Sequence, residues 1–228
     1  MNKRNLLSTC FLLCSFYIYG QELKVINSLK EYRKTVKNDA NNKMVAVQKL
    51  LPKAVMDIRY ATSNNFTGEI LYPQSFKVFL RKPVADSLAK IQSALNKQGL
   101  GLKIFDAYRP YDVTVKMWDL IRDERYVANP AKGSGHNRGI SVDLTIIDLA
   151  SGKELDMGTG YDHFSDTAHH SFKQLPLHVL RNRELLKSIM EKHGFIPLET
   201  EWWHYHLLWP KRFEVLNLQP RQLKKINL

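Results

Sequence analysis

The chain has 228 residues, of which 44% are hydrophobic and 25% charged, and its formal net charge is +12. That length and balance suit one globular domain with a sizeable core and exclude a disordered or fibrous chain. The positive charge is spread out, with short clusters such as "RQLKK" at 221–225, and no zinc-finger, helix-turn-helix or RNA-binding pattern accompanies it, so it reads as solvated surface with some attraction to acidic wall polymers and no specific nucleic-acid site.

The first twenty residues, "MNKRNLLSTCFLLCSFYIYG", begin with Lys3 and Arg4, run apolar from Leu6 to Tyr19 and carry no acid. That is the pattern of a secretory signal, and it is short for a membrane span. The expected organisation is a signal at 1–20 and one domain at 21–228, exported to the periplasm or beyond, with no stable membrane insertion after cleavage. An uncleaved anchor is the competing reading. Lipid attachment at Cys14 or Cys10 fits poorly, because Leu13 and Thr9 precede those cysteines. Both cysteines of the chain fall in this segment. The remainder has no thiol, so it forms no disulfide, and any metal site in it must use histidine and carboxylate.

From Lys82, "KPVADSLAKIQSALNKQG" places Pro83 at its start, Val84, Leu88, Ile91 and Leu95 at helical spacing, and Gly99 at its end. These mark an amphipathic helix. "LKIFDAY" follows as a short strand, and "RPYDVTVKMWDLIRDER" as a second helix opening at Pro110. After a glycine-rich turn at 133–139, "ISVDLTIID" sets Ile140, Val142, Leu144 and Ile146 on one face and Ser141, Asp143 and Thr145 on the other, the alternation of a half-buried strand. "LASGKEL" reads as a tight turn returning to another strand. "LHVLRNRELLKSIMEKHG" reads as a helix ended by Gly194, and "FIPLETEWWHYHLLW" as a strand pair. Helices and short strands alternate without regular βαβ spacing, which predicts an α+β domain, a mainly antiparallel sheet flanked by helices.

His136 in the glycine-rich turn and Asp143 on the following strand are suitable metal ligands, and His204 or His206 can supply a third. Glu201 is the available carboxylate to take a proton from a metal-activated water. One constraint applies: residues three apart on a regular strand point to opposite faces, so Glu201 and His204 share a site only if Glu201 lies in the turn or a bulge reorients it. Tryptophans 202 and 203 read as core and pocket wall.

Five stretches taken together resemble the D-alanyl-D-alanine dipeptidase family, the VanX-type zinc peptidases. They are "DIRYATSNNFTG" (57–68), "FDAYRP" (105–110), "SGHNRGISVDLT" (134–145), "DMGTGYDHF" (156–164) and "EWWHY" (201–205), and the likeness runs roughly from Val55 to Pro210. It implies the small α+β zinc-peptidase fold that the hedgehog signalling domain shares. It also implies one zinc ion per chain, held by His136, Asp143 and His204, with Glu201 as general base. His206 is then structural. Arg109 matches the arginine that steadies the developing oxyanion, Ser134 the serine near the substrate carboxylate, and Asp162 the carboxylate that receives the free amino group. Tyr60 and Asn65 lie in a segment bordering the pocket, and His169 and His170 lie outside the ligand set. The implied substrate is a small D-amino-acid dipeptide, D-alanyl-D-alanine, cut without an acyl-enzyme. Resistance-type members are cytoplasmic, whereas this chain is expected to be exported, so peptide turnover or scavenging suits it better. The rival expectations are a zinc carboxypeptidase acting on longer wall peptides and a non-catalytic wall-peptide-binding module.

Overall fold

A computed structural model describes residues 23–73 and 77–224; the expected signal at 1–20 lies outside them. The elements in chain order are β1 (Val25–Ile26), α1 (Leu29–Asn38), β2 (Met44–Ala46), α2 (Val47–Leu50), β3 (Val55–Met56), β4 (Phe79–Arg81), α3 (Lys82–Asn96), β5 (Leu100–Asp106), α4 (Tyr111–Ile121), α5 (Gly135–Arg138), β6 (Ser141–Asp148), α6 (Leu177–Lys192), β7 (Phe195–Leu198), β8 (Glu201–Leu207), β9 (Val215–Leu216) and α7 (Pro220–Lys224). Five strands form the central sheet in the order β3-β5-β6-β8-β7, with β3 parallel to β5 and every other pair antiparallel. The expected α+β architecture is what the chain adopts.

One face of this sheet builds the core. Val142, Leu144 and Ile146 of β6 and Leu102 and Ile104 of β5 pack with Leu88, Ile91 and Leu95 of α3 and with Leu186 and Met190 of α6. Burying each of these aliphatic side chains contributes roughly 1.5–3 kcal/mol. The helical spacing read in α3 corresponds to this buried stripe, with Pro83 in its first turn. Gly99 then turns the chain at φ +73°, a conformation favourable to glycine. α6 ends before Gly194, at φ +87°.

The opposite face carries the polar residues, and three expectations need correction there. β6 is not half-buried: Ser141 to Ile147 are all buried. Its second face is covered, because α5 lies so close to Ser141 that a Cβ at Gly135 would collide with the serine hydroxyl, and Tyr161 lies over Asp143. The glycine-rich turn contains one turn of helix, α5. Ser134 caps it by accepting the Asn137 N–H at 3.0 Å, while Asn137 Oδ1 accepts the Ser134 N–H at 3.0 Å, a reciprocal capping box. The segment after "LASGK" makes only a single bridge, Ile147 to Glu154, in place of a strand. Beyond it the chain leaves the sheet and brings Tyr161 and Asp162 toward the polar face.

Candidate active site

Two irregularities in the sheet assemble the site. β5 and β6 pair Ile104 with Leu144 and then Asp106 with Asp143, so one extra residue, Phe105, sits in β5 and Asp106 comes to lie opposite Asp143. β7 and β8 pair Pro197 with Tyr205 and then Leu198 with Glu201, a bulge that places extra residues on β8. That bulge resolves the strand-periodicity constraint: Glu201 Oε2 comes within 3.9 Å of His204 Nδ1 although the two are three positions apart. Bulges next to active sites commonly re-aim a side chain in this way.

Three donor atoms from three places in the chain converge on this face. His136 Nε2 is 3.2 Å from His204 Nδ1 and 3.4 Å from Asp143 Oδ1, and His204 Nδ1 is 2.9 Å from the same Asp143 oxygen. His136 and Asp143 are buried and His204 nearly so, and these three form a group able to hold a metal ion. Position and tautomer are set locally. α5 presents His136, whose Nδ1 lies 2.7 Å from the Ala107 carbonyl, and donation there leaves the Nε2 lone pair to the cluster. Asp143 and His204 are directly paired across β6 and β8. His206, two residues along, is opposite Ser141 and outside the cluster.

Charge follows from burial and neighbours. Burial works to raise the Asp143 carboxyl, but the His136 and His204 imidazoles more than offset it and hold it below the usual carboxylate range. Glu201, 6% exposed, is pushed well above that range by burial and by the charges of Asp143 and Asp162, with Arg109 and the Trp203 indole pulling the other way. Asp162 is raised for similar reasons, burial first and Asp143 second. The pocket that joins these groups has a volume of about 290 Å³ and is also lined by Ser134, Phe66, Tyr126, Phe164 and Trp203.

Arg109 lies just before α4 and is buried. It is 7% exposed, grips Asp106 Oδ2 through Nε at 3.0 Å and Nη2 at 2.7 Å, and lies with Cζ 5.1 Å from the centre of the Tyr60 ring. Burial disfavours its charge, and the charge of Asp106 more than restores it, keeping the guanidinium well above its ordinary pKa. Asp162 accepts the Tyr60 hydroxyl at 3.1 and 3.2 Å. Every residue singled out for chemistry therefore lines one pocket: His136, Asp143, His204, Glu201, Arg109, Ser134 and Asp162. Asn65 instead ties its own loop together, donating to Thr62 O at 2.7 Å and Glu69 O at 2.8 Å, and His169 and His170 lie outside the pocket lining. Trp203 is pocket wall, while Trp202 is buried and donates to Thr159 at 2.8 Å.

Sequence reasoning did not find Asp106, the anchor of Arg109, nor Tyr161, whose hydroxyl donates to Asp143 Oδ2 at 3.0 Å. A signal existed for the first: an acid three residues before an arginine at the end of an apolar strand. Tyr161 carries no such mark beyond its place next to Asp162.

The chain matches the family model of the D-Ala-D-Ala dipeptidases over residues 40–212, a wider span than the motifs cover. It is 37% identical over 164 residues to the D-alanyl-D-alanine dipeptidase of Escherichia coli (strain K12), covering 72% of this chain and 84% of that relative. It is 31% identical over 186 residues to the D-alanyl-D-alanine dipeptidase of Enterococcus faecalis (strain ATCC 700802 / V583), covering 73% and 92%. With the D-alanyl-D-alanine dipeptidase of Streptomyces coelicolor (strain ATCC BAA-471 / A3(2) / M145) the identity is 32% over 180 residues, covering 71% and 89%. With the family match covering residues 40–212 and relatives of 31–37% identity matched over most of their length, this chain belongs to the D-Ala-D-Ala dipeptidase family.

Proposed function

We propose that this protein hydrolyses D-alanyl-D-alanine to two D-alanines, using one zinc ion held by His136, Asp143 and His204. The observation that carries the reading is the convergence of those three donors beside Glu201. The donor set suits zinc: two imidazole nitrogens and a carboxylate oxygen, with no thiolate, is a catalytic type that leaves one position open. Tetrahedral bonds of about 2.0–2.1 Å set donors about 3.3–3.4 Å apart, against 3.2, 3.4 and 2.9 Å between these atoms.

When bound, zinc supplies a Lewis acid for the scissile carbonyl and acidifies the attacking water. Glu201 takes the proton from that water and hands it to the departing amine, so one carboxylate serves as base and then acid. A raised pKa suits both halves of this exchange. Arg109 spends Nε and Nη2 on Asp106, so its plane is fixed before substrate arrives and Nη1 is left to donate to the carbonyl oxygen as charge develops. Asp162 pairs with the substrate ammonium. Ser134, whose oxygen already accepts the Asn137 N–H, retains its own proton to donate to the substrate carboxylate. Recognition of both charged ends within two residues is what separates a dipeptidase from a carboxypeptidase.

Residues 1–20 serve as the export signal, and residues 21–228 act outside the cytoplasm in wall-peptide turnover or dipeptide scavenging. The basic, unacidic, apolar start of the chain supports this, and the amino-terminal sequence of the protein recovered from cell fractions tests it. Among the described residues no helix is long and apolar enough to cross a membrane. The catalytic reading is tested by release of D-alanine from the dipeptide. A strong chelator should abolish release and one equivalent of zinc should restore it; turnover that survives complete removal of metal contradicts the reading.

A further inference from the structure

The two oxygens of Asp143 have different neighbours. Oδ1 faces the two imidazoles, whereas Oδ2 accepts the Tyr161 hydroxyl at 3.0 Å. Tyr161 Oη also lies 3.2 Å from Tyr60 Oη, and Tyr60 Oη is 3.1 and 3.2 Å from the two oxygens of Asp162. Two carboxylates are thus joined by two phenols, and each phenol has one proton to give. Tyr161 Oη is nearer to Asp143 Oδ2, at 3.0 Å, than to Tyr60 Oη, at 3.2 Å, and Tyr60 Oη faces both oxygens of Asp162, so each phenol's proton is directed to its adjacent carboxylate. This divides the labour: Tyr161 serves Asp143 and Tyr60 serves Asp162. The Tyr161 ring is held independently of its hydroxyl, stacked on Phe105 at 4.7 Å and edge-on to Trp203 at 5.6 Å.

We infer that Tyr161 is a positioning residue for the metal: it pins Asp143 Oδ2 so that Oδ1 alone is turned to the ion, while Tyr60 performs the matching task for the amine-binding Asp162. The inference rests on the ligand set proposed above. Outer partners of metal ligands are worth about 10–100-fold in metal affinity, and a rigid neutral donor fixes the carboxylate without adding a cation that would compete with the ion.

The test is zinc affinity of the metal-free protein against a competing chromogenic chelator, alongside thermal unfolding of the same samples. Tyr161→Phe should bind zinc about 10–100-fold more weakly while its metal-free form unfolds within about 3 °C of the parent. Tyr60→Phe should keep zinc affinity within about twofold of the parent and lose part of its preference for a free over an acylated amino end. Replacing Tyr161 with 4-aminophenylalanine, which keeps the ring and an N–H donor, should restore the affinity. Zinc binding by Tyr161→Phe equal to the parent's overturns the inference, as does equal weakening by Tyr60→Phe. Should the phenylalanine variant not fold, the amino variant decides: parent-like affinity supports the role and a lost grip refutes it. A parent protein that binds no zinc would sink the ligand set itself, which is a separate outcome.

Discussion

Asp162 offers the sharpest perturbation of substrate recognition. It sits at φ +59°, a left-handed conformation that asparagine tolerates as aspartate does, and it accepts the Tyr60 hydroxyl at 3.1 and 3.2 Å. Asp162→Asn therefore preserves the backbone and one acceptor oxygen while removing the charge. A charge-assisted contact to the substrate ammonium is worth about 1.5–3 kcal/mol, and about 1.4 kcal/mol is tenfold. The variant should lose roughly ten- to a hundredfold in kcat/KM on D-alanyl-D-alanine, and its preference for the free over the N-acetylated dipeptide should shrink equally. Zinc content should not change. pH gives a second handle: burial and the charge of Asp143 raise the Asp162 carboxyl, and pairing needs the ionised form. Free-amine preference is present above that raised pKa and is lost as pH falls through it, and the asparagine variant should lack this limb. An intact preference in Asp162→Asn, with lowered thermal stability, would make Asp162 a turn residue and move the amine's partner elsewhere.

Glu201→Gln should retain zinc and lose several orders of magnitude in turnover. In the parent, activity should fall as pH drops through a Glu201 pKa above the ordinary carboxylate range, since a base works only when deprotonated; a pH–rate profile with no acid limb would contradict this. His136→Ala, Asp143→Ala and His204→Ala should each lose metal measured by elemental analysis, whereas His206→Ala should keep it. Arg109→Met leaves Asp106, which is 0% exposed, without its ion pair. Breaking a buried pair costs about 3–5 kcal/mol, a fall of roughly 6–20 °C in Tm for a domain of this size. Asp106→Asn in the same chain should recover much of that loss, and unfolding scans of the parent, the single variant and the double variant measure it.

The readable parts of this chain are those with a period or a punctuated turn. α3 shows its buried stripe because only one side of it faces the sheet, and Gly99 and Gly194 mark the places where the chain must turn with positive φ. The Ile140–Ile146 alternation gave the orientation of Asp143 correctly but not the burial of its face, since α5 folds back onto Ser141 and Tyr161 reaches Asp143 from 18 residues away, neither of which an alternation records. Two-residue strands such as β1 and β9 carry no period to detect, and they pair across most of the chain, Val25 with Val215. Physics alone left His204 and His206 as alternatives for the third ligand. The β6/β8 register removes that ambiguity by setting His204 opposite Asp143 and His206 opposite Ser141, and nothing in "ETEWWHYH" announces that register or the bulge that brings Glu201 to the same site. Tyr161 and Asp106 stayed hidden because their importance lies in what they touch: Asp143 Oδ2 in one case and the Arg109 guanidinium in the other.

The most direct measurement is a comparison of kcat/KM for D-alanyl-D-alanine and its N-acetylated form by the protein carrying one equivalent of zinc. Simultaneous recognition of an ammonium at Asp162 and a carboxylate near Ser134 requires the free dipeptide to be cut faster. Faster cleavage of the acetylated substrate would make this a carboxypeptidase of longer wall peptides, and binding of both without turnover would make it a recognition module.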